Sequence, residues 1–211
     1  NYETGDGTIV WEWHLWDHLI QDVNPILPNY GDIHDHPELY DINLMSMGTP
    51  SGSNGDWVHC NAIDYNESLD QFLLSYPGTG EIFIIDHSTT TEEAASHSGG
   101  VYGKGGDFLY RWGNPQNYDR GDVQDQILKH QHGVNWIKID YPGSGNILIF
   151  NNSHLGQENS TILEIVTPID TNGNYVIEGN SSYAPQTWFW LHYTNLYSPH
   201  QSGAFRLKNG N

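Results

Sequence analysis

Eight short segments of the chain combine β-branched or aromatic residues with alternating or continuous apolar positions, a pattern that is typical of β-strands. Pro-Gly and Asn-Gly pairs between such segments indicate hairpin turns. The segments fall into two groups of four. The predicted strands are 58–65, 71–75, 81–86 and 107–112 in the first group, and 132–140, 146–150, 161–166 and 187–193 in the second.

The chain before the first group has a weaker pattern. Residues 8–13 alternate weakly and predict a strand, and residues 16–22 predict a helical turn. From residue 24 to residue 54 no period is sustained and four prolines interrupt the chain, so we expect a long loop. Loops of this length in a compact domain are usually functional or mobile.

Two consecutive units of four antiparallel strands are the pattern of β-propeller blades. We therefore predict an all-β protein in which residues 1–211 form a single partial β-propeller domain. Its expected parts are a blade end at 1–22, the long loop at 23–55, blades at 56–115 and 130–195, and the inner strand of a next blade at 196–211. Because a propeller needs about four or more blades to close, the sequence predicts two complete blades plus parts of two others from a longer chain.

Three histidines stand near the start of a unit, namely His59, His132 and His200. Their intervals are similar, 132 − 59 = 73 and 200 − 132 = 68 residues. The opening strand of each blade lines the channel of a propeller, so these side chains are expected to converge near one mouth of it. Together with His130 they offer ligands for Zn²⁺ or Cu²⁺, but histidines that simply line the channel are the more ordinary interpretation, and no metal site is predicted.

Charge limits the classes of partner. The formal net charge is −19, with 26 acidic and 7 basic side chains, which opposes binding to nucleic acid or anionic membranes. Calcium is compatible with this charge, but no ligands are predicted for it. The acidic segment 170–174 predicts a hairpin, because Tyr175 stands where a calcium loop needs glycine. No apolar run reaches the roughly 18 residues of a membrane span.

Three other features each have an ordinary and a functional interpretation. The glycine-rich segment 99–106 fails the phosphate-loop pattern, because Ser98 and Gly105 break it, and is expected to be a loop between strands. The single cysteine, Cys60, excludes an internal disulfide and is expected to be a small buried residue. Trp57 and Trp136 lie next to the repeated histidines and either pack between blades or stack on an aromatic ligand.

Long strings of the chain resemble the arylsulfotransferase (aryl-sulfate sulfotransferase) family of β-propellers. They follow the order of the family and extend over nearly the whole chain, so the resemblance is specific. The matching strings are residues 10–13, 16–22, 56–61, 84–91, 103–115, 131–132, 149–152 and 202–211.

The resemblance implies a propeller of about six blades, exported from the cell to an extracellular or periplasmic location. It implies transfer of a sulfuryl group from a small aromatic sulfate donor to a phenolic acceptor, with no nucleotide donor and no cofactor. His132 matches the nucleophilic histidine of the family, which carries the group as a transient sulfohistidine, and His59 matches a histidine that contacts the sulfuryl group. The weaker substrate-binding candidates are His200, His130, Trp57, Asn61 and Trp136.

Two positions depart from the family pattern. Pro77 stands where the family usually has an arginine that helps to hold the sulfate, two residues after Ser75. Residues 133–135 read Gly-Val-Asn where relatives tend to have Asp-Ala-His. The alternative function is therefore a catalytically weakened or inactive propeller that serves as an extracellular binding or structural module. Metal-dependent hydrolysis is a third hypothesis, which a chelator would test.

Overall fold

A computed structural model describes residues 7–44 and 58–211. Its strands are β1 (Leu19–Ile20), β2 (Tyr40–Asp41), β3 (Ala62–Asn66), β4 (Gln71–Tyr76), β5 (Glu81–Asp86), β6 (Tyr110–Trp112), β7 (His132–Trp136), β8 (Ile147–Asn151), β9 (Thr161–Ile165) and β10 (Trp190–Tyr193). One short helix, α1 (Thr91–Ala94), and 3₁₀ turns at Leu15–His18, Pro115–Tyr118 and His154–Gly156 complete the described elements. No helix in the described ranges is long and apolar enough to cross a membrane.

Two four-stranded antiparallel sheets dominate the structure, in the orders β3-β4-β5-β6 and β7-β8-β9-β10. The predictions of an all-β protein and of two four-stranded antiparallel units are confirmed. Strands β5 and β8 are buried along their whole length, as their continuous apolar runs indicate. The predicted first strand is too long, because β3 begins at Ala62 rather than at residue 58; the backbone of His59 has a left-handed φ of 49°, which no regular strand accommodates.

The segment before the first sheet differs from prediction. Residues 8–13 form no strand. Their indoles attach the segment instead, since Trp11 Nε1 donates to Thr89 Oγ1 and Trp13 Nε1 donates to the Gly106 carbonyl. The predicted helical turn is a 3₁₀ turn at its start only, and β1 follows it and pairs in parallel with β2, which lies inside the predicted loop. Residues 45–55 of that loop, and Trp57, lie outside the described residues.

The two sheets meet at their first strands. The backbone N–H of Trp136 on β7 donates to Asp64 Oδ2 on β3 at 2.8 Å. The segment 198–204 lies against the other side of β7, where Asn135 Nδ2 donates to the Ala204 carbonyl at 2.8 Å. Gly133 allows this approach, because a Cβ there would come within 2.5 Å of the Gly203 Cα. Strand β3, strand β7 and segment 198–204 therefore lie side by side.

A buried ion pair holds the first sheet to the chain that precedes it. Arg111 and Glu81 are both completely buried, and the guanidinium donates to the two carboxylate oxygens at 2.8 Å each. Arg111 also donates to the Leu39 carbonyl at 2.9 Å and stacks over the Tyr118 ring at 4.3 Å. The charge and the hydrogen-bond donors of Arg111 are therefore satisfied within the core.

Candidate functional site

His132 opens strand β7, half-buried, and its ring is oriented by two acceptors. Nδ1 lies 2.9 Å from the His130 carbonyl and 3.0 Å from Asn152 Oδ1. Both partners accept hydrogen bonds and cannot donate through these atoms, so Nδ1 carries the proton. A neutral imidazole has one N–H, and Nε2 therefore holds an unprotonated lone pair.

Asn152 sets this tautomer because its own amide cannot turn. Its Nδ2 donates to the carbonyls of Ser198 and Gln201, at 2.8 Å in each case, which leaves Oδ1 directed at His132. Asn152 is completely buried. Asn152 was not among the site residues predicted from the sequence. The available signal was a polar pair, Asn151 and Asn152, directly after an apolar strand.

Gln131 joins the start of β7 to strand β5 through its side chain. It is completely buried, and its Nε2 donates to the Glu81 carbonyl at 2.8 Å. Its own carbonyl accepts a 2.8 Å hydrogen bond from Asn61 Nδ2. Asn61, predicted to bind substrate, thus links the start of the first sheet to the residue before His132. Its Oδ1 is buried and has no hydrogen-bond partner among the described residues.

A left-handed residue stands before β3, before β7 and within the segment 198–204. His59, His130 and Gln201 have φ values of 49°, 56° and 56°. Their spacing is constant, 130 − 59 = 71 and 201 − 130 = 71 residues. On this register His59 corresponds to His130, and Asn61 corresponds to His132. The equivalence of His59 and His132 that the sequence suggested is therefore shifted by two residues in the structure.

His130 lies near enough to both His132 and His200 for their charges to affect it. Burial lowers the pKa of His130, and positive charge at Lys129, His132 and His200 lowers it further. His130 is thus favoured in its neutral form, and His200 is near enough to act on it. His200 itself is exposed, as is His59 at the start of the first sheet.

The structure favours packing over ligand stacking for Trp136, and it contradicts the predicted burial of Cys60. Trp136 is only 7% exposed and belongs to the main hydrophobic core, so its ring packs against other core residues and is not open for stacking on a ligand. Cys60 is exposed rather than buried, because strand β3 starts only after it. Trp57, the other aromatic candidate, lies outside the described residues.

No arginine of the chain is free to take the place of the one that the family resemblance leads us to expect at Pro77. Pro77 itself is buried at the end of β4. The chain has three arginines, all of them described, and each is engaged elsewhere. Arg111 pairs with Glu81, Arg206 pairs with Glu164, and Arg120 donates to the carbonyls of His34, Gly179 and Ser181.

The alternative in which the repeated histidines bind a metal is not supported at this site. Among the described residues, His59, His130, His132 and His200 do not form a group whose ligand atoms converge. The acidic turn at 170–174 already uses its carboxylate in internal hydrogen bonds. Asp170 Oδ1 accepts hydrogen bonds from the backbone N–H groups of Asn172 and Asn174. These hydrogen bonds, that of Asn174 first, lower the pKa of Asp170. The carboxylate therefore completes a turn, in agreement with the predicted hairpin.

Comparison with known proteins gives one finding. A family model described as Arylsulfotransferase (ASST) matches residues 3–211. No curated protein and no solved structure matches the chain.

Proposed function

This chain belongs to the arylsulfotransferase family, and from that premise we propose that it transfers a sulfuryl group from an aryl sulfate to a phenol through His132. The observation that carries the proposal is the fixed tautomer of His132. Its Nδ1–H is held by the His130 carbonyl and Asn152 Oδ1, so Nε2 is the nucleophilic atom.

The reaction divides into two displacements at sulfur. In the first, the Nε2 lone pair forms an N–S bond while the S–O bond to the aromatic ring breaks, and the phenoxide leaves with that electron pair and takes up a proton. In the second, the oxygen of an acceptor phenol attacks the sulfur and loses its proton, the N–S bond breaks, and the electron pair returns to Nε2. The Nδ1–H···Oδ1 contact with Asn152 stabilises the positive charge that develops on the ring in the intermediate.

We assign supporting roles to the neighbouring polar residues. His59 and His200 are exposed near the openings of the adjacent segments, and in this proposal they contact the sulfuryl oxygens and exchange protons with the phenols. His130 and Asn61 hold His132 and its strand in place through backbone contacts. The reaction as written uses no cofactor.

The proposal extends to the whole protein. Two four-stranded sheets whose first strands lie side by side are the arrangement of consecutive propeller blades. We propose a propeller of about six blades, with the segment 198–204 leading into a third blade. We also propose an exported protein, in an extracellular or periplasmic location, as the family resemblance implies.

Pro77 favours a second candidate function. A propeller that lacks the sulfate-binding arginine, and whose three arginines are all engaged elsewhere, has lost a charge-assisted contact to the sulfuryl oxygens. Such a protein would bind aryl sulfates or other aromatic ligands without turning them over.

An assay of nitrophenol release separates the two functions. The protein is incubated with p-nitrophenyl sulfate, with and without phenol, and we expect release that depends on phenol. His132→Ala should lower the rate by about 1000-fold or more, because the nucleophile is removed. His192→Ala is the matched control, since His192 is an exposed histidine on β10. Folded protein that releases no nitrophenol would contradict the enzyme and favour the binding module, and loss of release with a chelator would indicate metal-dependent hydrolysis.

A further inference from the structure

His18, His97 and Asp107 form a cluster away from His132. His18 Nδ1 and His97 Nδ1 lie 2.7 and 2.8 Å from the same oxygen, Asp107 Oδ1. The nitrogen and oxygen atoms that these residues could offer to a metal all lie within 4.8 Å of one another. In the described part of the chain, this is the group of three or more histidine, cysteine or acidic side chains with that geometry.

The hydrogen bonds of His18 determine which of its nitrogens is free for a cation. Nε2 lies 2.8 Å from the Ala94 carbonyl, which can only accept, so Nε2 carries a proton. In the neutral ring Nδ1 is then a bare lone pair, and it faces a carboxylate oxygen at 2.7 Å. Two lone pairs at this distance repel each other unless a cation lies between them. That cation is either a second proton on the ring or a metal ion.

The surroundings of His18 are those of a metal-binding histidine. Ligand histidines commonly donate their second N–H to a backbone carbonyl, which fixes the ring orientation, as Nε2–H does here. The Trp13 indole stacks on the imidazole with an interplanar angle of 2°. Only glycine fits at position 106 beside the imidazole. A Cβ there would come within 2.5 Å of His18 Nε2 and closer still to the Ala94 carbonyl. Gly106, the last glycine of segment 99–106, thus serves packing around this cluster.

The carbonyl that orients His18 is itself fixed. Ala94 ends helix α1, which begins with a reciprocal capping box between Thr90 and Glu93. The Thr90 hydroxyl accepts from the Glu93 N–H, and the Glu93 carboxylate accepts from the Thr90 N–H. A capping box satisfies two free amide groups and holds the first turn in register. The position of Ala94 relative to His18 is therefore determined by local sequence.

We propose that His18, His97 and Asp107 bind a transition-metal ion, with Zn²⁺ the best match. Two imidazole nitrogens and one carboxylate oxygen are a donor set that suits Zn²⁺ and not Ca²⁺ or Mg²⁺, which take oxygen ligands. The ligands come from three separate parts of the chain, so the ion would tie the segment before β1 to the loops around α1. This site is independent of His132 and of the proposed sulfuryl transfer.

Zinc would occupy the cluster with a small adjustment. Zn–N and Zn–O bonds of about 2.0–2.1 Å require the three ligand atoms to separate by roughly half an ångström beyond hydrogen-bond distance. The His18 side chain is completely buried and cannot move far, whereas the His97 side chain is 62% exposed and can. His97 also lines a cavity of about 530 Å³, so a water or ligand in the fourth position would face that cavity.

Metal titration of the whole chain tests the proposal. Protein treated with a chelator and desalted is titrated with Zn²⁺ by calorimetry and with Co²⁺ by visible absorption. We expect one equivalent of Zn²⁺ per chain, a four-coordinate Co²⁺ spectrum, and a melting temperature that rises with Zn²⁺. His97→Ala should weaken Zn²⁺ binding by at least about tenfold and remove the Co²⁺ spectrum, because it deletes one of three ligands.

A histidine on the same cavity provides the control. His36 is exposed, lines the cavity and lies outside the cluster, so His36→Ala should bind Zn²⁺ as the unsubstituted protein does. The proposal is overturned if the unsubstituted protein takes up no Zn²⁺, which would indicate that a proton occupies the His18–Asp107 contact. It is overturned equally if His97→Ala and the unsubstituted protein bind Zn²⁺ with the same affinity.

Discussion

The two sheets have the same strand order and direction, but they place their buried polar groups differently. In the first sheet, Glu81 and Arg111 are both completely buried and satisfy each other in the core. In the second sheet, Asn152 is completely buried, whereas its partner His132 lies half-buried at the strand opening with Nδ1 directed at Asn152 Oδ1. The first pair is enclosed in the core, whereas the second places a half-buried imidazole at the start of a strand. The same architecture thus holds an ion pair in one sheet and, in our proposal, the nucleophile in the other.

Removing half of the structural pair should give the largest effect on stability. Arg111→Met leaves the Glu81 carboxylate buried without its partner, and we expect a loss of about 3–5 kcal/mol in the free energy of unfolding. The double variant Arg111→Met/Glu81→Leu should recover much of that loss, because no unpaired charge remains. Urea denaturation of both variants measures the difference. A single variant that loses less than about 1 kcal/mol would mean that the pair is not the element that holds the first sheet.

Removing half of the chemical pair should affect turnover more than stability. Asn152→Ala deletes the acceptor that fixes the His132 tautomer, and we expect kcat/KM for p-nitrophenyl sulfate to fall by about 10- to 100-fold, as for other orienting partners. Asn151→Ala is the matched control. Asn151 is equally buried and bonds to Lys129 and Ile127 rather than to His132. Equal loss of activity in the two variants, per folded molecule, would show that Asn152 only supports the fold.

The contrast between the sheets also bears on what the sequence could predict. Strands β4, β5 and β8 were predictable because each is an apolar run with a glycine- and proline-containing turn at one end, and a core strand needs little else. The strand expected at 8–13 failed because Trp11 and Trp13 attach through their indole N–H groups to residues more than 70 positions away. No local pattern carries that information.

The site was predictable only in part, for a related reason. The hairpin of β7 and β8 places His132 opposite Phe150, so Asn152 lies two residues beyond the paired position and within reach of the ring. Predicting the contact between Asn152 and His132 therefore required the exact pairing of the two strands. The left-handed conformation of His59 and His130 has no residue signature, since neither position is a glycine. The shift of register from His59 to Asn61 therefore could not be found by spacing alone.

Two hydrogen bonds that link adjacent segments can be compared by mutation, which tests whether the two bonds have equivalent roles. Asn61 Nδ2 donates to the Gln131 carbonyl, and Asn135 Nδ2 donates to the Ala204 carbonyl, both at 2.8 Å. We expect Asn61→Ala and Asn135→Ala each to lower the free energy of unfolding by about 0.5–1.5 kcal/mol, the net value of one such hydrogen bond. If Asn61 also contacts substrate, Asn61→Ala alone should raise KM. A rise of KM in both variants would assign the effect to strand position instead.

The smallest expected effect is a pH dependence carried by the second sheet. Burial lowers the pKa of His154, which is buried beside β9, and of His130. Below about pH 6.5 the unfolded chain binds protons that the folded chain takes up less readily, so stability should fall as the pH drops. The first sheet has no histidine within its strands. His154→Gln should therefore reduce the difference in unfolding free energy between pH 7.5 and pH 5.5, whereas His192→Gln, at an exposed position on β10, should leave that difference unchanged. An unchanged difference in His154→Gln would mean that His154 does not contribute to the acid stability of this sheet.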